Sequence, residues 1–311
     1  MNDVAIVGAG PAGIAASIFL KRAGFDVQLY EKNQVGGLLL NAYSVENYPG
    51  FPHGIKGNEL CKLFKLQLEK WSISPIFKEI IKVTRGKNKF ILKTTKDIKE
   101  FKAILIATGS KPKKLGIPGE EESIKRHIFY EIKDLIPIIK PESNCIIIGG
   151  GDMAFDYALN LTENNANVDL YFRSQRPKCL PLLENRAKKI ATIKLHPFSI
   201  PLQIDELNNK TVIQFQIKEN KNIIHSNNEQ NDSNNTNIIT STSNYTLIAI
   251  GRLPNNDLIS KDFIEENISG LYIAGDLRKG IYRQVGIAVG DGIYKAMCIE
   301  EYLKGNVLWK C

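Results

Sequence analysis

The chain opens on an apolar run, Val4 to Val7, that meets the glycine-rich stretch Gly8-Ala9-Gly10-Pro11-Ala12-Gly13. Apolar positions then recur at helical spacing from Ile14 to Ala23, and the alternating stretch Asp26–Tyr30 ends at Glu31. The same order returns later in the chain. Cys145 to Ile148 meets Gly149-Gly150-Gly151-Asp152-Met153-Ala154, followed by a helical stretch from Phe155 to Leu161 and a strand-like run from Asn167 to Phe172. Gly8 and Glu31 are 23 residues apart, as are Gly149 and Phe172, so Glu31 aligns with Phe172. Each copy reads as a strand–turn–helix–strand unit of the doubly wound kind. The pattern predicts an α/β protein with two Rossmann-like dinucleotide-binding domains.

Glu79–Val83 and Phe90–Lys93 predict strands of a small antiparallel insert, and Ala103–Gly109 a buried strand ending in a tight turn. Ser110–Gly119, which holds Pro112 and Pro118, reads as a linker. A second strand of the same type, Tyr245–Gly251, precedes a return linker at Arg252-Leu253-Pro254. Leu271–Ala274, Gly275-Asp276 and a helix from about Gly286 to Leu303 close the pattern. The expected organisation is a discontinuous domain over 1–112 and 246–311, carrying the first glycine fingerprint, with a second domain, 113–245, carrying the other. Residues 220–244 hold nine asparagines among 25 and too little apolar surface to offset ordering entropy, so they read as a mobile loop.

A length of 311 residues suits two domains, and 43% hydrophobic with 24% charged residues excludes a disordered or fibrous chain. No apolar run approaches the roughly 18 residues of a membrane span. The net charge of +8 suits nucleic acid, an acidic protein or phosphate-rich ligands equally. No nucleic-acid-binding motif interrupts the fold, so that partner is not expected. The five cysteines (Cys61, Cys145, Cys179, Cys298 and Cys311) are odd in number and include no pair separated by only two residues. With no targeting segment ahead of Val4, the expected compartment is the cytoplasm. His53, His127, His196 and His225 share no metal-like spacing, and no metal is expected.

Chemistry enters with the glycines. Gly8 suits a tight turn, Gly10 admits a pyrophosphate to the backbone, and Gly13 lets the helix pack on the strand. The helix N-terminus adds N–H donors and partial positive charge. Glu31 stands where a carboxylate accepts both ribose hydroxyls, which disfavours a 2′-phosphate there. The bland alternative is a glycine-rich turn without ligand. The strand before it, the helix after it and an acid 18 residues beyond Gly13 weigh against that. In the second copy Phe172 takes the place of the acid, and Arg173, Arg176 and Lys178 follow. Three cations without a repelling carboxylate favour NADPH, with NADH left open, against the alternative of a solvated basic patch.

Gly8–Gly13, Glu31, Gly36-Gly37, Val45–Phe51, Ala107-Thr108-Gly109, Ile117–Glu120, Gly149–Asp152, Gly275-Asp276, Tyr282-Arg283-Gln284 and Gly290-Asp291-Gly292 occur in a family's order. Over nearly its whole length the chain resembles the low-molecular-weight thioredoxin reductases. The resemblance implies an FAD domain interrupted by an NAD(P) domain, in a homodimer. It implies FAD contacts at Gly8, Gly10, Gly13, Glu31, Gly37, Asn47, Gly109, Asp276, Arg283 and Gln284. Of these, Asp276 would lie at the ribityl or phosphate end and Arg283-Gln284 near the flavin ring. Gly149, Gly151, Asp152 and Ala154 would contact the second dinucleotide. Pro11, Ala12, Lys32, Gly36, Leu38, Ala107, Thr108, Met153, Ile250, Gly251, Arg252, Gly275 and Val285 complete the candidate cofactor-binding set.

One departure outweighs the agreements. The family carries Cys-Xaa-Xaa-Cys-Asp before its second glycine fingerprint, whereas here Tyr130 and Lys133 occupy the two cysteine places, with Asp134 retained. Thiol–disulfide exchange needs an attacking thiolate, so the usual relay is not expected. The family's His-Arg-Arg signature is also altered, to Phe172-Arg173-Ser174. Cys61, Cys145 and Cys298 read as small core residues, and Cys311 as an exposed terminal thiol.

What remains is an FAD-dependent NAD(P)H oxidoreductase. Hydride transfer between NAD(P)H and FAD needs no side-chain acid or base, so no catalytic residue is assigned. The leading acceptor is ferredoxin or flavodoxin, because cysteine-free enzymes similar to thioredoxin reductase include ferredoxin–NADP reductases. Arg278, Lys279 and Arg283 beside the expected flavin site suit a small acidic carrier. Three alternatives stay open: a disulfide reductase with an atypical redox centre, an NAD(P)H oxidase or quinone reductase, and a non-catalytic flavin-binding sensor.

Overall fold

The computed structural model describes residues 2–121, 126–218, 237–259 and 268–306. The chain divides into two compact units, Met1–Lys111 with Leu253–Cys311, and Pro112–Arg252. The first unit begins with β1 (Asn2–Val7), α1 (Pro11–Arg22), β2 (Val27–Glu31), a 3-10 turn (Gly37–Asn41) and α2 (Gly57–Lys70). It continues through β3 (Ile76–Phe77), β4 (Ile80–Gly86), β5 (Lys89–Thr94) and β6 (Ile98–Ile106), and β7 (Ser110–Pro112) leads out of it. The second unit holds β8 (Ile128–Phe129), α3 (Ile132–Leu135), β9 (Asn144–Ile148), α4 (Asp152–Glu163), β10 (Asn167–Tyr171) and α5 (Pro181–Lys188). It ends with β11 (Ile193–His196), β12 (Ser199–Leu207), β13 (Lys210–Ile217), β14 (Asn237–Ser243) and β15 (Tyr245–Ile248). After β16 (Arg252–Pro254), the first unit closes with β17 (Leu271–Ile273), α6 (Asp276–Lys279) and α7 (Val285–Leu303).

The first unit's sheet has the order β3-β2-β1-β6-β5-β4, with β17 also on β6. Its β1, β2, β6 and β17 run parallel, while β4 and β5 form the expected antiparallel insert. Both faces of its centre are covered. Val4, Ile6, Ala103 and Leu105 join one apolar cluster with Ile14 and Leu20, and Ala5, Ile104 and Ile106 join another with Phe90 and Leu92. Two-sided burial is why these strands read as unbroken apolar runs.

The second unit has a five-stranded parallel sheet, β11-β10-β9-β15-β8, and a three-stranded antiparallel sheet, β12-β13-β14. Two expectations need correction here. The strand opening at Tyr245 pairs with both β9 and β8, so the boundary falls after Arg252 rather than at 245/246. The reason is the repeat itself, because each copy adds a third parallel strand beside its first. Ala107 donates its N–H to Val7, and Ala249 donates to Ile148, each at 2.8 Å. The second correction concerns the asparagine-rich stretch. Its final part, Asn237–Ser243, is β14, antiparallel to β13. Ile238, Ile239, Thr240 and Thr242 are β-branched, and the Ser243 hydroxyl is buried against Thr211 and Thr246. Residues 220–236 of that stretch lie outside the described residues.

Candidate functional site

β1 delivers the chain to Gly8 at φ +109°, and the Gly8 N–H donates to the Tyr30 carbonyl at 2.8 Å. A Cβ on Gly8 would stand 2.3 Å from the Ala107 oxygen, and one on Gly13 would stand 1.9 Å from the Gly8 oxygen. Close backbone approach therefore demands glycine at both places. Gly10 is different, because a Cβ there meets nothing within 4 Å. Gly10 caps α1 in an extended conformation, with no side-chain cap and no acid in the first turn. The first-turn N–H groups of Ala12 and Gly13, behind Pro11 at the first helical position, thus form the opening of an uncapped helix, the usual anion cradle. Beside it, Glu31 accepts the Ala9 N–H at Oε2 and the Asn33 N–H at Oε1, each at 2.9 Å. A carboxylate has about four acceptor positions, so two remain for hydroxyls. An open glycine, an uncapped helix end and a pinned carboxylate fit the adenosine and pyrophosphate parts of FAD.

Other expected residues gather on the same unit. Gly36 donates to the Ala9 carbonyl at 2.8 Å, which brings Gly36-Gly37-Leu38 to the glycine loop, while Lys32 is exposed. Asn47 Nδ2 donates to Gln284 Oε1 at 2.8 Å, at the start of α7, where Val285 is the first helical residue. Thr108 donates its hydroxyl to the Asn255 carbonyl at 2.7 Å, and Gly109 accepts the Asn255 N–H at 3.0 Å. Asp276 opens α6 after Gly275, whose φ is +73°.

Sequence reasoning missed what holds that last turn. The buried Asp291 accepts the Gly275 N–H at 2.9 Å and pairs with Lys279 at 3.2 Å. A Cβ on Gly292 would lie 2.2 Å from the Ala12 oxygen, so this glycine seats α7 on α1. The signal was Gly290-Asp291-Gly292 itself, a motif whose acid was not assigned to the site.

The second unit repeats the first cradle. Gly149, at φ +152°, donates to the Tyr171 carbonyl at 2.9 Å, and its Cβ would stand 2.3 Å from the Ala249 oxygen. Gly151 has open space and caps α4 in an extended conformation, with Met153 and Ala154 in the first turn. Asp152 accepts the Leu180 N–H at 2.8 Å, and Gly150 accepts the Lys178 N–H at 2.6 Å. These bonds fold the loop that carries Arg173, Arg176 and Lys178 back onto the glycines. All three cations are exposed, and Phe172, 5% exposed, lies where the first copy has its acid. The cradle fits a dinucleotide, and its cation loop fits a phosphate on the ribose.

Three expected residues sit at the end of the second unit's sheet. Ile250 is exposed, Gly251 accepts the Lys113 N–H at 3.0 Å, and Arg252 is buried with its guanidinium 2.7 Å from Glu131. The Arg252 side chain is thus held within its own unit.

Tyr130 and Lys133 are the residues that the resemblance aligns with the family's two cysteines. The Tyr130 hydroxyl donates to Glu120, which is 2% exposed and also accepts the Leu115 and Gly116 N–H groups at 2.9 and 2.7 Å. Burial and the Glu120 carboxylate push the Tyr130 hydroxyl's pKa above its ordinary value. Lys133 lies on the short α3. Cys61 and Cys145 are buried and Cys179 is half-buried. Cys298 is buried and disulfide-bonded, not the free core thiol expected. Cys311 lies outside the described residues. Among the described residues no acidic, histidine or cysteine cluster could hold a metal, and no helix is long and apolar enough to cross a membrane.

Two glycine cradles, each at the end of a central parallel strand, one with a ribose acid and one without, define an oxidoreductase that handles two dinucleotides. The family model described as pyridine nucleotide-disulphide oxidoreductase matches residues 2–292, and the chain belongs to that family. It is a thioredoxin reductase-like, FAD-dependent NAD(P)H oxidoreductase. Thioredoxin reductase of Bacillus subtilis (strain 168) is 29% identical over 97% of this chain and 95% of its own length. A 34.2 kDa protein in a rubredoxin operon of Clostridium pasteurianum is 28% identical over 98% of each chain. The crystal structure of Lactococcus lactis thioredoxin reductase (FR conformation) superposes with a TM-score of 0.85 at 26% identity, covering 98% of this chain and 100% of that one.

Proposed function

We propose that this flavoenzyme takes electrons from NADPH and delivers them to a small one-electron carrier of the ferredoxin or flavodoxin type. The observation that carries the reading is the bond of the Tyr130 hydroxyl to the buried Glu120 carboxylate, at a position that the family resemblance aligns with a relay cysteine. A phenol cannot perform thiol–disulfide exchange, so the electrons need another exit. The Clostridium relative, described by its place in a rubredoxin operon, is in keeping with a small carrier.

In this reading Gly8, Gly10, Gly13, Glu31, Gly37, Asn47, Gly109, Asp276, Arg283 and Gln284 hold FAD. Gly149, Gly151, Asp152, Ala154, Arg173, Arg176 and Lys178 hold NADPH in preference to NADH. The bound flavin supplies the ability to accept a hydride and release electrons singly. The chain's own part is to bind and orient: glycine backbones receive the phosphates, Glu31 the ribose hydroxyls, and the cation loop the 2′-phosphate. A cytoplasmic homodimer belongs to the same proposal.

The test is an anaerobic titration of the yellow holoenzyme with NADPH and then NADH, followed by addition of ferredoxin, flavodoxin, thioredoxin or menadione. Bleaching by NADPH and reoxidation by ferredoxin or flavodoxin is the expected result. Bleaching followed by turnover only with thioredoxin or menadione would assign the enzyme to one of the rival acceptors. Tight FAD with no bleaching would make it a sensor.

A further inference from the structure

The segment between α6 and α7 presents apolar side chains to solvent at the edge of the site. Ile281 is 82% exposed and Tyr282 68%, the two highest values among the large apolar residues described. The backbone forces this. Gly280 takes φ +61°, Tyr282 donates back to Lys279 and Arg283 to Ile281, each at 3.1 Å, so Ile281 stands at the tip of a tight turn. The next residues, Arg283 and Gln284, belong to the set proposed to hold FAD near its ring.

The surroundings are positively charged. Residues 276–295 contain four cations (Arg278, Lys279, Arg283 and Lys295) against two acids (Asp276 and Asp291). Asp291 faces both Lys279 at 3.2 Å and Arg278 at 3.7 Å, so one buried carboxylate is shared between two partly exposed cations. Burial lowers the pKa of Lys295, with Arg278 and Lys279 acting in the same direction and Asp291 against them. Protein interfaces favour an apolar, aromatic-rich centre with a polar rim, and opposite charge speeds encounter.

We propose that the Ile281–Tyr282 turn, with Arg278 and Lys279 beside it, is the docking surface for the acidic electron carrier. The proposal rests on the carrier reading above and adds where the carrier binds. Ile281 and Tyr282 supply the desolvated centre, and the two cations meet the carrier's carboxylates.

The experiment uses the FAD-loaded enzyme, NADPH, and an acidic plant-type [2Fe–2S] ferredoxin as the probe. Ile281→Glu with Tyr282→Glu should lower kcat/KM for ferredoxin by at least about tenfold at low salt, the effect of losing roughly 1.4 kcal/mol of binding. NADPH–menadione turnover and the sedimentation coefficient should stay unchanged. Arg278→Glu with Lys279→Glu should flatten or invert the salt dependence of the ferredoxin rate. If the paired glutamates impair folding, Tyr282→Ala carries the same comparison. Ferredoxin reduction unchanged in the variants, with an active wild type, overturns the surface alone. Dissociation of a dimer by the glutamate variants would assign the turn to a second copy of the chain and overturn it as well. A wild type that NADPH bleaches but that reduces neither ferredoxin nor flavodoxin overturns the carrier reading, and this surface with it.

Discussion

Asn47 Nδ2 donates to Gln284 Oε1 at 2.8 Å, joining residues 237 positions apart in the chain. The bond ties the loop after the first cradle to the cap of α7, and both residues belong to the set proposed to hold FAD. Asn47→Ala and Gln284→Ala should each weaken FAD binding. The double variant should lose less than the two single losses combined, with a coupling of about 1 kcal/mol. Quenching of FAD fluorescence on titration into apoprotein measures this, and strict additivity would show that the pair does not act together.

The glycines of the first cradle should separate folding from binding. Gly8→Ala puts a side chain at φ +109° and 2.3 Å from a carbonyl, so the apoprotein should lose about 1–3 kcal/mol to backbone strain and more to the clash. Gly10→Ala meets open space, so apoprotein stability should change by less than about 0.5 kcal/mol. FAD affinity should nevertheless fall, because the pyrophosphate loses its close approach to the backbone. Urea unfolding of apoprotein beside FAD titration distinguishes the two; a Gly10 variant with unchanged FAD affinity would remove that glycine from the site.

Nucleotide choice should follow the loop after β10. Arg173→Ala with Arg176→Ala should raise KM for NADPH by about 10–100-fold, the range for losing hydrogen bonds to a charged group, with little change for NADH. Phe172→Glu should push preference further toward NADH by placing a carboxylate near the ribose. Equal loss with both nucleotides would mean that the cations serve folding or general attraction.

The thiol chemistry has a defined pH signature. Burial, reinforced by Glu184 and Asp152, pushes the Cys179 thiol up to about 11, and burial alone pushes Cys145 up to about 12. Because the thiolate is the nucleophile and both values are raised, native-state alkylation of Cys179 should be slow at pH 8. It should climb about tenfold per pH unit until near 11, as the thiolate fraction rises. Peptide mapping after iodoacetamide pulses checks this. A midpoint near pH 8 would mark Cys179 as an ordinary reactive thiol and revive a disulfide role for it.

Much of the fold was legible because the two copies obey the same steric rule. Gly8 and Gly149 each sit under a carbonyl of a third strand and bond to the tyrosine at the end of the second, Tyr30 or Tyr171. No other residue tolerates that crowding, so the glycines recur at fixed spacing and can be read without coordinates. The misplaced boundary and the strand in the asparagine-rich stretch have different causes. The stretch Tyr245–Gly251 resembles Ala103–Gly109, but a single strand does not name the sheet it joins. Asn237–Ser243 is polar enough to read as a loop, and only pairing with β13 makes it a strand.

The sequence by itself carried the two glycine fingerprints, the acid that follows one and the cations that follow the other, and the lack of any two cysteines separated by only two residues. All of these are local, since a turn, a helix end and a short spacing carry them. Only the tertiary structure decided that Asp291 holds Gly275, that Glu120 receives the hydroxyl of Tyr130, that Arg252 is buried against Glu131, and that Ile281 stands in solvent at a turn's tip. Those partners lie between 10 and 121 residues apart. Hydrogen bonding and burial act on distance in space, and no period along the chain encodes which distant groups meet.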